Sequence, residues 1–250
     1  MSEIGKKVRL RRIVKEDGRT IIIPMEGLVP DWDKLCEKLI RGGVDAVMPT
    51  YGIAKQYYHV MAGKIPFVLS VPTDVRYVHA AVRMGADMVK VTYFLPWNYQ
   101  EVNRKLTGEL LPFTDECDRL GMPSLVEIVP IVPKEKGFDY DLDVEHVKQA
   151  VNIGSSLGGD IMKTSYTESI ESFKKVAAES AIPVTILGGP ALNDDRKILQ
   201  TIKDSLTAGG IGICFGRNTT KHKNPEGIAR AYVKVIHEES SVEKALKELD

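Results

Sequence analysis

The sequence predicts a parallel α/β fold closed into a (β/α)8 TIM barrel. Three observations carry that expectation. Short apolar runs recur eight times, amphipathic helical patterns separate them, and 250 residues is a usual length for one such barrel. The runs cover residues 20–25, 46–49, 66–70, 88–94, 124–129, 160–164, 183–187 and 211–215. All are rich in Ile, Val, Leu or Met, which suits strands buried on both faces. An open doubly wound sheet is the competing arrangement. Eight units in a chain of this length favour closure.

The helical segments follow in order. Residues 31–42 place Leu35 and Leu39 at i, i+4, and Gly42-Gly43 ends the pattern. A pattern over 53–62 carries His59, read as a surface or packing histidine. Residues 74–84 stop at Gly85, 98–120 at Gly121 and 143–157 at Gly158-Gly159. Residues 168–180 and 193–208 continue the alternation. Pro225 suits a helix start, and that helix runs towards His237. Residues 241–249 form a short additional C-terminal helix. No linker or low-complexity tract interrupts the chain, so residues 1–250 read as one domain.

Composition narrows the functional classes. Hydrophobic residues make up 43% and charged residues 27%, with 34 Lys+Arg against 34 Asp+Glu. A neutral balance argues against a dedicated nucleic-acid binder. An anionic ligand must therefore be held by a local site. Cys36, Cys117 and Cys214 show no metal spacing and read as reduced core thiols. The charged N-terminal stretch lacks a signal peptide's apolar segment, and no window reaches the ~18 apolar residues of a membrane span. These features predict a cytoplasmic protein with no membrane partner.

Active-site residues of such barrels lie at the C-terminal ends of the strands. That rule selects Glu26 after the first run, Lys90 in the fourth, Glu127 in the fifth and Lys163 in the sixth. Gly188 and Gly189 follow the seventh run; Gly216, Arg217 and Asn218 follow the eighth. Lys and Glu are seldom buried without partners. Three successive strands would let Lys90, Glu127 and Lys163 converge. A structural ion-pair network, or a lysine snorkelling through the helix layer, remains the alternative. The chemical reading is sharper. A nucleophilic lysine must be a neutral amine, although free lysine has a pKa near ~10.4. Burial and a neighbouring cation such as Lys90 both lower that value. Glu127 would then carry protons during carbinolamine formation and dehydration. The glycine pairs suit a phosphate, with backbone N–H groups close by and Arg217 able to bind it bidentately. Glycines that merely end strands are the alternative there. Tyr93, Trp97 and Tyr99 either line the mouth or pack, and His222 in TTKHKN reads as solvated.

The segments DIMKTSYT, VTILGGPALND and GICFGRN resemble the DeoC/LacD/FbaB superfamily of class I aldolases, and the likeness runs from IIIPMEG to the final helix. The resemblance implies Lys163 as the Schiff-base lysine and Gly188, Gly189, Gly216 and Arg217 as phosphate ligands. Archaeal-type fructose-bisphosphate aldolases and aminodideoxyheptulosonate synthases carry Asp-His-Gly after the first strand and Tyr-Pro-Arg-Gly after the fifth. Here Met25-Glu26-Gly27 and Val129-Pro130 stand instead, so that branch's tyrosine proton donor is missing at its position. GADMVKVTYF and PSLVEIVP look more like tagatose-bisphosphate and sulfofructose-phosphate aldolases. That likeness implies roles for Lys90 and Glu127, with Glu26 in place of an Asp.

The expected activity is cleavage or formation of a carbon–carbon bond through an imine with a ketose phosphate or dihydroxyacetone phosphate. No cofactor or metal is expected: the chemistry uses a covalent lysine imine, and no His/Asp/Glu cluster has metal spacing. The resemblance also implies a homo-oligomer. Two alternatives stay open, a sugar-phosphate isomerase or epimerase with Glu127 as base, and a non-catalytic barrel that binds a phosphorylated metabolite.

Overall fold

The computed structural model describes residues 2–25, 27, 31–96 and 99–249, with side chains outside that description at 2 and 99–103. The chain opens with helix α1 (Ser2–Ile13), then strand β1 (Thr20–Met25), α2 (Trp32–Arg41), β2 (Ala46–Pro49) and α3 (Tyr51–Met61). Next come β3 (Val68–Ser70), α4 (Val75–Met84), β4 (Met88–Pro96), α5 (Tyr99–Leu120) and β5 (Ser124–Pro133). A short strand β6 (Phe138–Tyr140) precedes α6 (Val144–Ser156), β7 (Ile161–Thr164), α7 (Ile170–Glu179) and β8 (Val184–Leu187). The rest is α8 (Asp195–Thr207), β9 (Gly212–Cys214), α9 (Arg217–Thr220), α10 (Pro225–Ile236), α11 (Val242–Leu246) and a final 3₁₀ turn (Lys247–Leu249).

Eight parallel strands run in the order β2-β1-β9-β8-β7-β5-β4-β3. Parallel bridges from Val47 to Phe67 and from Thr50 to Ser70 join the two ends, so the ring closes. All eight predicted runs are barrel strands, and the closed barrel holds over the open sheet. β6 stands outside the ring and pairs antiparallel with the far end of β5, Ile131 opposite Tyr140.

Closure divides the apolar residues into two layers. Ile21 and Ile23 of β1 face the helices, while Ile22 faces the barrel axis. The axial core at one end consists of Ile22, Ala46, Met48, Val68, Met88, Leu125, Ile161 and Cys214. α1 plugs that end: Ile13 is fully buried against this core, with Leu10 and Val14 beside it. Polar ties hold the plug. Arg12 binds Asp87 at 2.9 Å, Arg9 donates to the Gly121 carbonyl at 2.9 Å, and Lys6 binds Asp118 and Asp160. The opposite end of the barrel stays open for a site.

Side chains alternate along a strand with period two. Two residues beyond Met88, Leu125 and Ile161 on the axial face come Lys90, Glu127 and Lys163. The apolar layer therefore predicts, by alternation alone, that the charged layer faces inward above it. The three cysteines are buried free thiols, as expected.

Candidate active site

The charged layer forms a connected set. Glu127 Oε1 lies 2.6 Å from Lys163 Nζ, and Oε2 lies 2.7 Å from Lys90 Nζ. Thr92 Oγ1 donates to the same Oε2 at 2.8 Å. Strand register produces this arrangement, since Thr92 and Lys163 are the residues directly paired with Glu127 on β4 and β7. The three ionisable side chains belong to residues only 3–7% exposed, which rules out the snorkelling lysine.

Burial pushes the Glu127 carboxyl up, but Lys163 and Lys90, through charge and hydrogen bonds, outweigh it and hold the acid at about 2. Glu127 is therefore a carboxylate in the resting enzyme. A carboxylate between two ammonium groups leaves one surplus positive charge. Cys214 lies beside the set; burial pushes its thiol up to about 11, so it stays protonated and is no competing nucleophile.

These residues line a cavity of about 750 Å³ at the open end of the barrel. Its wall includes Thr50, Ser70, Phe94, Val129 and Tyr140, and across from them Gly188, Gly189, Gly216, Arg217 and Lys221. Lys90, Glu127, Lys163, Gly188, Gly189, Gly216 and Arg217 thus line one cavity. Glu26 lies outside the described residues, as does Trp97.

The two glycine loops are built as one piece. Asn218 is buried; its Nδ2 donates to the Gly188 carbonyl at 2.7 Å, and its Oδ1 accepts from the Leu192 N–H at 2.7 Å. Gly189 has φ +59°, a backbone that other residues rarely adopt. Arg217 Nη2 donates to the Tyr140 hydroxyl at 3.2 Å, so the β5–β6 hairpin reaches across the mouth to the β9 side.

Sequence reasoning missed Thr92, Tyr140 and the bridging role of Asn218. Thr92 was detectable by alternation from Lys90. Tyr140 depends on a hairpin that the apolar runs do not mark. One expectation needs correction: His222 is not solvated. Its side chain is 9% exposed, with Nε2 3.1 Å from Asp195 Oδ1 and Nδ1 2.9 Å from the Asn224 carbonyl. The turn after α9 folds TTKHKN back on the start of α8. Tyr93 packs into the helix-side core; its neighbour Phe94 lines the cavity. His59 is exposed, 3.5 Å from Asp33.

Among the described residues, no group of three His, Cys, Asp or Glu could hold a metal ion, and no helix is long and apolar enough to cross a membrane.

Comparison with known proteins places the chain. Residues 11–222 match the model of the DeoC/LacD family aldolases. The 2-amino-3,7-dideoxy-D-threo-hept-6-ulosonate synthase of Halobacterium salinarum is 32% identical, over 98% of this chain and 97% of its own. A synthase of the same name from Archaeoglobus fulgidus is 28% identical, over 98% and 95%. Among solved structures, an archaeal fructose-1,6-bisphosphate aldolase with its catalytic Lys bound in a carbinolamine superposes with TM-score 0.79 at 23% identity. It covers 93% of this chain and 99% of its own. By the family model, and by a relative this similar over nearly its whole length, the chain belongs to the DeoC/LacD family of aldolases.

Proposed function

We propose that this aldolase is of class I, acting on a ketose phosphate through an imine at Lys163. The observation that carries the reading is Glu127 held between Lys163 and Lys90 at 2.6 and 2.7 Å, at the floor of a cavity whose rim carries Arg217 and two glycine loops. The name of the superposed archaeal aldolase, which speaks of a catalytic Lys in a carbinolamine, supports the same chemistry.

In the cleavage direction, neutral Lys163 Nζ adds to the ketone carbon and the carbonyl oxygen takes a proton. With the ammonium proton of Lys163 given up before the attack, one of the two cations that hold Glu127 low is gone. Its carboxyl then rises and can carry the protons that release water and leave an iminium. The iminium withdraws electrons as the hydroxyl proton leaves and the adjacent carbon–carbon bond breaks. An aldehyde departs, and the enamine left on Lys163 is protonated and hydrolysed, which regenerates the amine. Lys90 keeps Glu127 in place and keeps positive charge beside the reacting oxygen. Glu26, one residue past β1, is assigned to the hydroxyl at the cleaved bond from its sequence position. The Gly188-Gly189 and Gly216-Arg217 loops hold the phosphate. Binding at that remote group orients the ketone over Lys163.

The test is turnover of ketose phosphates by Lys163→Met. Loss of carbon–carbon cleavage by at least about 10³-fold with the fold intact is expected. Isomerisation or epimerisation that survives in Lys163→Met would make Glu127 the principal base and overturn the imine reading.

A further inference from the structure

The hairpin after β5 brings one more polar group to the cavity. Tyr140 ends β6 and lines the same cavity as Lys163 and Arg217. Its hydroxyl accepts from Arg217 Nη2 at 3.2 Å. A phenol has one proton to give and accepts through its oxygen lone pairs, whereas a guanidinium accepts nothing. Tyr140 therefore cannot give its proton to Arg217. Among the described residues, no other group takes that proton. The O–H is left for an acceptor that enters the cavity.

Arg217 is in a matching state. Among the described residues its guanidinium meets a neutral phenol and no carboxylate. A guanidinium with that partner keeps its full charge for an anion. Together the two side chains present N–H donors, one O–H donor and one positive charge at a single point of the rim.

Tyr140 is held in place from three directions. Across the hairpin it pairs with Ile131 of β5. On its N-terminal side, Phe138 meets its ring edge-on with centroids 6.1 Å apart, and Phe138 packs on Phe94 of β4 at 4.9 Å. On its C-terminal side, Asp141 donates its N–H to the Pro130 carbonyl at 2.9 Å. The buried Asp141 side chain lies 2.7 Å from Nδ1 of buried His146 and accepts from the Asp143 N–H at 3.0 Å, at the start of α6. A hydroxyl on a paired strand with anchored neighbours loses little further freedom when a ligand arrives.

Resting on the aldolase reading above, we infer that Tyr140 is a phosphate-binding residue of this site. Its O–H and the Arg217 guanidinium act as one unit that receives the phosphate of the imine-forming half of the substrate. Arg217 supplies the charge and, by donating to the phenol oxygen, turns the phenol proton away from itself. The phenol adds a donor from outside the β8 and β9 loops, so the bound phosphate ties the hairpin to the β9 end of the barrel.

Tyr140→Phe removes one oxygen and keeps the ring against Phe138, so the hairpin stays packed. The full chain and this variant are titrated with dihydroxyacetone phosphate and with unphosphorylated dihydroxyacetone. The half-saturating concentrations for borohydride trapping at Lys163 are compared. Loss of a hydrogen bond to a charged group should raise the value for the phosphorylated donor, relative to the other, by about tenfold. An unchanged ratio overturns the inference. So does an equal rise for both donors, which is the mark of a displaced hairpin. Slower turnover with the ratio held makes the phenol a proton carrier and also overturns it. In an Arg217→Met background the same replacement should change the ratio by less than about twofold, because the two side chains act as a unit; a full effect there overturns the pairing. Absence of trapping at Lys163 in the wild type overturns the imine reading alone. Inorganic phosphate needs no imine and then tests Tyr140 by calorimetry. A Kd raised about tenfold in Tyr140→Phe supports the inference. An unchanged Kd, or no binding of phosphate by the wild type, overturns it.

Discussion

Glu127 holds a lysine on each carboxylate oxygen, and the two contacts have separate consequences. Replacing Glu127 with Gln keeps the shape but removes the proton carrier. Turnover should fall about 10²- to 10⁴-fold, while reductive trapping of donor at Lys163 stays measurable. Steady-state assay and intact-protein mass spectrometry check the two halves. Asn218 acts differently, by joining the loops after β8 and β9. Asn218→Ala leaves the Gly188 carbonyl and the Leu192 N–H without that bridge, at a cost of about 1–3 kcal/mol. The expected result is a higher KM for phosphorylated donor with kcat nearly held. At this scale, Lys90, Glu127 and Lys163 were legible in the sequence because charges inside apolar runs are conspicuous. Tyr140 was not, because a tyrosine in a polar loop acquires meaning only from hairpin geometry; Thr92 follows from alternation once Lys90 is placed on the axial face.

Among the elements, the eight barrel strands were readable from apolar runs, since both faces of each strand are buried. The elements that escaped lie outside that pattern. α1 is densely charged, and its apolar residues cover the end of the barrel, so no regular stripe announces it. β6 is three residues long and largely exposed. α9 is a single turn after Gly216. The position of α1 leads to a clean separation of stability from activity. Ile13→Ala should cost about 2–5 kcal/mol, because Ile13 is fully buried on the axial core. kcat/KM should hold, since α1 closes the end opposite the cavity. Urea denaturation and kinetics at a temperature where the variant stays folded measure both.

For the molecule as a whole, the first and last barrel strands meet where β1 pairs with β9, and a charged tie outside that seam joins the two ends of the chain. His237, just past α10, has Nδ1 2.6 Å from Asp17 Oδ2 and Nε2 3.0 Å from Asp45 Oδ2. Asp45 also accepts from the Ile21 N–H at 2.6 Å. Burial pushes the His237 imidazole down, but the two carboxylates outweigh it and raise its pKa above 6.5. A raised folded value means the tie stabilises fully below the unfolded pKa and is lost as pH rises through the folded one. His237→Gln should therefore destabilise the protein more near about pH 6 than near about pH 9. Equal losses in denaturation midpoint at both pH values would dissociate His237 from that tie.

Everything proposed about turnover depends on a covalent bond at one nitrogen. The direct measurement is borohydride reduction of the full chain in the presence of dihydroxyacetone phosphate, followed by peptide mass mapping. A single donor-derived adduct on Lys163 that disappears in Lys163→Met is expected. No adduct, or an adduct on Lys90 with Lys163 unmodified, would contradict it.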